Sequence, residues 1–321
     1  MSTDASASTS LRPPPWLDRI GPAWCVVVAV ASVGVIPMGS TYLAGDRAIS
    51  LVIADLDGSA LVPAALVCLS ALGFAAMGWS VRDAGARRAC LGAGAQTLSY
   101  GVAFALAVLP LALVQGSLDL VEIVAGQDAT FTLGDVAVVH ALPVREAWPA
   151  WPSLPAWGLL LNPLAVVLVT ICGLGAMRLP PFDGVAAEAE ARTALNAEGS
   201  GLRLGNAVIA DFVNTLVLAG LVVTFGLGGW AIPWLAESEL LSALVRGYGP
   251  GLGTLLGAGL HAGSFALKLL LVFVLLRAVG RRFSPLSESR MSFLCFRLFV
   301  PLAIVNVFVT GYWLVARPGL S

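Results

Sequence analysis

Seven long stretches without a charged residue divide this sequence. Each is at least 19 residues long, and a helix that crosses the hydrocarbon core of a membrane needs about 20 apolar residues. Because lipid offers no hydrogen-bond partners, the backbone of such a span must satisfy its own polar groups as a helix. The pattern therefore predicts an all-α, polytopic transmembrane helical bundle with about seven spans. The predicted spans are Ile20–Gly45, Gly58–Val81, Ala89–Leu118, Ala147–Met177, Phe212–Ala236, Gly247–Leu267 and Leu298–Ala316.

Composition and charge exclude a soluble enzyme and predict an orientation. The chain is 58% hydrophobic and 12% charged, about half the charged fraction of ordinary soluble proteins. The loops on the side of the N-terminus contain twelve arginines, whereas the loops on the other side contain four. Because cytoplasmic loops of membrane proteins carry an excess of Lys and Arg, the N-terminus is predicted to be cytoplasmic and the C-terminus external.

The chain is predicted to form one folded domain. Residues 1–19 are rich in Ser, Thr, Ala and Pro, a composition that predicts a disordered cytoplasmic tail. Residues 20–321 are predicted to form a single transmembrane helical domain. The outer loop between Asp119 and Trp157 contains four prolines, which predict an irregular or interfacial segment instead of a further span.

Several kinds of chemical site are not indicated. The five cysteines and two histidines are isolated from one another, so neither a disulfide framework nor a metal or iron–sulfur site is expected. The glycine-rich run at 249–259 has no preceding strand, and small residues at this spacing are typical of closely packed membrane helices instead of nucleotide loops. No basic, aromatic-rich surface predicts nucleic-acid binding.

The loop after the fourth span is unusually acidic and is the most informative segment. Asp211 follows it, about two turns into the next helix. A carboxylate within a span is costly unless it faces a partner or water, so Asp211 is a candidate functional residue, with placement at the interface as the alternative. The loop itself, from Met177 to Gly205, contains Asp183, Glu188, Glu190 and Glu198.

Lys268 is the only lysine in the chain and follows 21 residues without a charge. A partly buried amine is suited to a proton relay. The alternative is a structural ion pair with Asp211 or with a glutamate of the acidic loop. The sequence leaves both interpretations open.

Three runs resemble one membrane-protein family. They are PPFDGVAAEAE (180–190), AEGSGLRLGNAVIADFVN (197–214) and TFGLGGW (224–230), and they resemble, without a gap, the corresponding segments of the H subunit of proton-pumping NADH:quinone oxidoreductase, respiratory complex I. Weaker similarities are VIPMG (35–39), AQTLSY (95–100) and PLAIVNVFVTG (301–311). The chain is identified as a divergent member of this family.

The resemblance implies a role in coupling quinone reduction to proton translocation. A member of this family forms part of the quinone chamber, and its acidic loop connects quinone reduction with the proton path. The implied residues are Phe182, Asp183, Glu188, Glu190, Glu198 and Arg203 for the chamber and coupling loop, Asp211 and Lys268 for the proton path, and Arg277 and Arg282 for a cytoplasmic basic loop.

The resemblance also implies the partners and cofactors. The chain would be a subunit of a translocase in the bacterial inner membrane, in contact with lipid and quinone. Its protein partners would be the peripheral iron–sulfur and quinone-site subunits and the small membrane-arm subunits. It would bind no cofactor itself, because quinone is the substrate of the complex and the partner subunits hold NADH, FMN and the iron–sulfur clusters.

The sequence also departs from the family pattern. The family's first helix has no counterpart before VIPMG, so seven spans replace eight, and Gly101, Ala176 and Gly199 stand where the family has two glutamates and a tyrosine. These differences leave two alternatives. The chain could belong to an energy-converting hydrogenase or formate hydrogenlyase complex, or it could be a docking scaffold with reduced coupling. A small-molecule transporter is disfavoured, because the sequence has no obvious inverted repeat.

Overall fold

The computed structural model describes residues 17–39, 41–44, 47–54, 56–80, 84–128, 130–132, 153–183, 201–284 and 286–316. Within these ranges the chain is a helical bundle with two short two-stranded antiparallel sheets, which confirms the predicted all-α membrane class. The helices are α1 (Leu17–Val35), α2 (Val62–Ser80), α3 (Ala84–Gln115), α4 (Leu120–Gly126), α5 (Gly158–Leu161), α6 (Pro163–Ala176), α7 (Gly201–Gly226), α8 (Glu237–Arg282), α9 (Glu288–Leu294) and α10 (Val300–Ala316), with a π-helical segment at Cys295–Phe299 between the last two. The strands are β1 (Thr41–Ala44), β2 (Arg47–Ser50), β3 (Thr130–Thr132) and β4 (Ser153–Pro155), paired β1 with β2 and β3 with β4.

Each predicted span contains a substantial apolar helix. Five helical segments in the described ranges are long and apolar enough to cross a membrane, and two shorter apolar helices lie at Ile20–Val35 and Pro163–Ala176. The seven stretches without charge therefore correspond to these seven helices. The ends of several spans differ from the prediction.

The first and fourth spans are shorter than predicted. Helix α1 ends at Val35, because Ile36 precedes Pro37 and the residue before a proline disfavours helical geometry. Helix α6 begins only at Pro163, where the Asn162 side chain accepts a hydrogen bond from the Ala165 amide at 3.0 Å. Asparagine at the cap and proline in the first turn are strong signals for a helix start.

The sixth span is shifted and longer than predicted. Gly249 has φ +82° and divides helix α8 at a kink into a first segment and a second segment that begins at Pro250. The second segment continues to Arg282, so Arg277 and Arg282 lie in the last turns of a helix and not in a loop. Long arginine side chains can reach water from the end of a span, which explains why charge did not mark the helix end.

The predicted N-terminal tail is described only at its end. Residues 1–16 lie outside the described residues, and residues 17–19 already belong to helix α1. The helix therefore includes the last three residues of the predicted tail.

Helices α3 and α7 form the centre of the bundle. Tyr100, Phe104, Leu218 and Phe225 are among the largest fully buried side chains. Glycines allow close packing around them, as at Gly173, which lies against Leu218 and Phe104. In lipid, small residues at helix contacts favour association because they let backbones approach closely. By contrast, α8 exposes most of its apolar surface.

The helix ends meet in two groups. At one end, which we call the basic end, Gly21 at the start of α1 lies against Met77 near the end of α2. Gln96 of α3 contacts the segment after α6, and Gly280 near the end of α8 contacts Pro180 in that segment. This grouping matches the arginine-rich side that was predicted to be cytoplasmic. The other end is called the opposite end below.

Candidate functional site

The segment Met177–Asp183 at the basic end is the start of the predicted acidic loop. It leaves α6 through Arg178, which has φ +53°, and the peptide between Pro180 and Pro181 is cis. A positive φ is uncommon for a residue with a side chain and marks a sharp change of chain direction. Phe182 is buried, and its amide donates to the Leu179 carbonyl at 2.8 Å. The segment is therefore a tight, packed turn.

Two polar residues of α3 bind this turn. The Gln96 amide nitrogen Nε2 donates to the Phe182 carbonyl at 2.8 Å and to the Gly175 carbonyl at 3.2 Å. The Tyr100 ring meets the Phe182 ring edge-on at 5.5 Å between centroids, and its hydroxyl donates to the Met291 carbonyl at 2.8 Å. Because residues four apart share one helix face, a single face of α3 holds both the turn and helix α9.

The end of α8 and the chain after it contact the turn from another side. The Leu286 amide donates to the Pro181 carbonyl at 3.1 Å. Gly280 packs so closely on Pro180 that an added Cβ would lie 2.8 Å from the proline Cβ. The turn is thus fixed by α3, by α8 and by the segment that leads to α9.

Arg178 lies beside Asp183 within the turn. Its Nη2 atom donates to the Asp183 backbone carbonyl at 3.3 Å, and its guanidinium lies 4.9 Å from the centroid of the Phe74 ring. A guanidinium stacked on an aromatic ring keeps its charge partly shielded from water. The turn therefore places a carboxylate-bearing residue next to a held cation at the basic end.

Sequence reasoning named Phe182 and Asp183 but missed the residues that hold them. Gln96 and Tyr100 lie within the AQTLSY similarity, yet neither is among the predicted site residues. The available signal was a group of polar residues in an apolar span, of which Gln96 and Tyr100 lie one turn apart.

The other predicted residues of the basic end are less fully described. Glu188, Glu190 and Glu198 lie outside the described residues, and only the backbone of Arg203 is described, within α7. Asp211 is partly buried on α7, and its backbone carbonyl accepts a hydrogen bond from the Thr215 hydroxyl at 2.7 Å.

Lys268 lies among groups from the opposite end of the bundle. Its ammonium donates to the carbonyls of Leu227 at 2.8 Å, Gly229 at 3.1 Å and Ala231 at 2.6 Å, and it lies 4.8 Å from the centroid of the Trp157 ring. An ammonium has three donors, so these carbonyls use its full capacity. Lys268 therefore stabilises the turn that follows α7.

The alternative that Lys268 pairs with Asp211 is wrong. Leu227 follows Asp211 by sixteen positions and lies immediately after the end of α7. Sixteen residues correspond to about 24 Å along a helix. An amine bound to the Leu227 carbonyl cannot reach that carboxylate.

Gln127 supports the same turn from within the predicted outer loop. Its Oε1 atom accepts from the amides of Gly228 and Gly158, each at 3.1 Å, and its Nε2 atom donates to the carbonyls of Thr224 at 2.8 Å and Ile123 at 3.3 Å. The side chain is 1% exposed. The turn after α7 is thus held by the side-chain amide of Gln127 and the ammonium of Lys268, both of which have their hydrogen-bonding groups occupied.

The fold defines a class of protein, a multi-pass helical membrane protein. The family model described as NADH dehydrogenase matches residues 12–311, and the chain belongs to this family. The predicted family is therefore confirmed.

Similar proteins agree with this assignment. The chain is 28% identical to an H subunit of NADH-quinone oxidoreductase from Geobacter metallireducens over 302 residues, which are 94% of this chain and 77% of the relative. It is 27% identical to an H subunit of the enzyme from Geobacter sulfurreducens, over 92% of this chain and 75% of the relative. It is 28% identical to the H subunit from Syntrophotalea carbinolica, over 94% of this chain and 76% of the relative.

Proposed function

We propose that this chain is the subunit of a proton-translocating NADH:quinone oxidoreductase that forms part of the quinone chamber and couples quinone reduction to proton movement. The relatives named above are NADH-quinone oxidoreductase subunits, which favours this function over the hydrogenase alternative. The observation that carries the proposal is the Gln96 bond to the Phe182 carbonyl at 2.8 Å. It fixes the start of the acidic loop to the core of the membrane domain.

Because the start of the acidic loop is fixed to α3, a change of charge in the loop can alter the positions of the helices that contact the turn. Glu188 and Glu190 follow Asp183 by five and seven residues in the sequence, and the proposal connects their charge with the turn that Gln96 holds. Clustered carboxylates titrate as a coupled set, because the charge on one changes the proton affinity of its neighbours. When quinone reduction draws protons, the altered charge favours one loop arrangement over another, and the turn transmits that preference to α3 and α8.

Asp211 is the proposed continuation of the path into the membrane. It lies ten residues into α7 from Gly201, which is about 15 Å along the helix. The apolar part of α7 begins at Val208, so Asp211 lies about one turn inside the candidate span, where a carboxylate is retained if it serves a partner or a water-filled path. Phe182, Glu198 and Arg203 belong to the proposed chamber side, and Arg277 and Arg282 to the basic surface around it.

The proposed setting is the bacterial inner membrane, within an assembly of subunits. The acidic loop would face the peripheral subunits that hold the iron–sulfur clusters, FMN and the NADH site, and the small membrane-arm subunits would adjoin the bundle. This chain's own part is to bind quinone with its partners and to hold and move protons at carboxylate oxygens.

Removing single carboxylates is expected to uncouple the enzyme. In Glu188→Gln, Glu190→Gln and Asp211→Asn variants of the whole complex, the number of protons moved per electron should fall roughly twofold, since an amide cannot release a proton at these positions. The measurement is proton uptake or release by proteoliposomes during a measured quantity of NADH oxidation.

Glu239→Gln is the matched control. Glu239 is an exposed glutamate at the start of α8, at the opposite end of the bundle. Its amide variant should leave the proton-to-electron ratio unchanged. An unchanged ratio in all three test variants would refute the proposed coupling, whereas equal losses in the control would point to a general effect of charge.

A further inference from the structure

A cavity of about 190 Å³ lies at the basic end of the bundle, between the ends of α6 and α8 and the middle of α7. Its walls include the apolar side chains of Leu174, Leu179 and Leu276. Arg277 and Arg281 also line the cavity, together with Pro180, Thr215 and Gly280. A small, partly apolar cavity with two cations beside it is suited to an anion that carries an apolar part.

The two arginines continue an apolar stripe along the outside of α8. Leu270, Val274, Arg277 and Arg281 are spaced four, three and four residues apart, so they lie on one face of the helix. Leu270 and Val274 are 59% and 57% exposed, and both arginines are exposed. The face therefore passes from hydrocarbon-contacting side chains to two cations within about three turns.

The arginines are placed to share one anion. Residues four apart on a helix are neighbours, so both guanidinium groups can bind the same phosphate, and arginine binds phosphate oxygens through paired N–H groups. Among the residues that the structure describes, neither guanidinium has a hydrogen-bond or ion-pair partner. The basic end is also the side assigned by arginine content to the cytoplasmic leaflet, where basic pockets between helices bind anionic lipid headgroups.

We propose that Arg277, Arg281 and the adjoining cavity form a binding site for an anionic phospholipid. The headgroup phosphate lies between the two guanidinium groups, and an acyl chain follows the stripe of Leu270 and Val274. The continuous apolar stripe favours a lipid over a carboxylate of a partner protein, which would need no hydrocarbon surface. The site shares Arg277 with the basic surface proposed above, but lipid binding is a separate property that does not require proton coupling.

Binding of phosphatidylglycerol to the whole complex tests this site. The complex is stripped of lipid in nonionic detergent, incubated with mixed micelles of phosphatidylglycerol and phosphatidylcholine, and passed through gel filtration. Retained lipid is then counted by quantitative mass spectrometry. Wild-type complex should retain phosphatidylglycerol in preference to phosphatidylcholine. Arg281→Gln should raise the Kd of the complex for phosphatidylglycerol about tenfold, the loss expected for one charge-assisted contact.

Arg282→Gln is the matched control, because Arg282 is the neighbouring exposed arginine at the same helix end but does not line the cavity. Arg282→Gln should retain the lipid. Arg281→Lys keeps the positive charge and should retain part of the affinity, which separates the effect of the lost charge in Arg281→Gln from misfolding. Unchanged affinity in an Arg277→Gln/Arg281→Gln double variant would overturn the proposal. So would equal loss in Arg282→Gln, or displacement of the lipid by inorganic phosphate at equal concentration, which would indicate a site for the free ion.

Discussion

Replacing Lys268 with methionine is expected to destabilise the membrane domain by about 3 kcal/mol, because three carbonyls would lose their donor and methionine offers none. The affected carbonyls belong to Leu227, Gly229 and Ala231. The ammonium also lies at the C-terminal end of α7, where a positive charge is favoured by the helix dipole. The thermal midpoint of the purified complex should fall by about 5 °C.

Leu267→Met is the control for this change. Leu267 is the preceding residue on α8 and is 69% exposed, so the same new side chain there should leave the midpoint unchanged. The experiment also decides between the two roles of Lys268. If Lys268→Met keeps the wild-type midpoint but lowers the number of protons moved per electron, the structural role is contradicted and the predicted place in the proton path is supported.

The helical bundle could be predicted from the sequence because each span is an uninterrupted apolar run. Span ends were harder to predict, because they depend on features other than charge. Asn162 and Pro163 start α6 sixteen residues after the apolar run begins. Arg277 lies inside α8 because its side chain can reach water from a helical backbone.

The residues that hold the turn could not be predicted in the same way. Gln96 and Phe182 are separated by 86 positions, and the acceptor is a backbone carbonyl. Lys268 likewise binds carbonyls 37 to 41 positions away. Every residue has a backbone carbonyl, so the sequence pattern gives no sign of which ones a side chain will meet. Lys268 was correctly recognised as unusual, but its partners follow from packing alone.

Gly175→Ala is expected to disturb the turn at the basic end. An added Cβ would overlap the Tyr100 ring, with the ring atom Cγ only 2.6 Å away. Tyr100 is 1% exposed, and its hydroxyl is bound to the Met291 carbonyl, so the ring cannot move without breaking that bond or displacing Phe182. Overpacking of this kind costs about 1–3 kcal/mol. The thermal midpoint and the quinone-dependent NADH oxidation rate should both fall.

Two further variants separate this contact from a general effect of the substitution. Gly259→Ala adds the same methyl group to α8, where an added Cβ meets nothing within 4 Å, and it should be neutral or slightly stabilising because alanine favours helix. In a Tyr100→Leu background the ring is absent, so Gly175→Ala should cost clearly less than in the wild type. Equal costs in both backgrounds would show that the methyl group does not act through Tyr100.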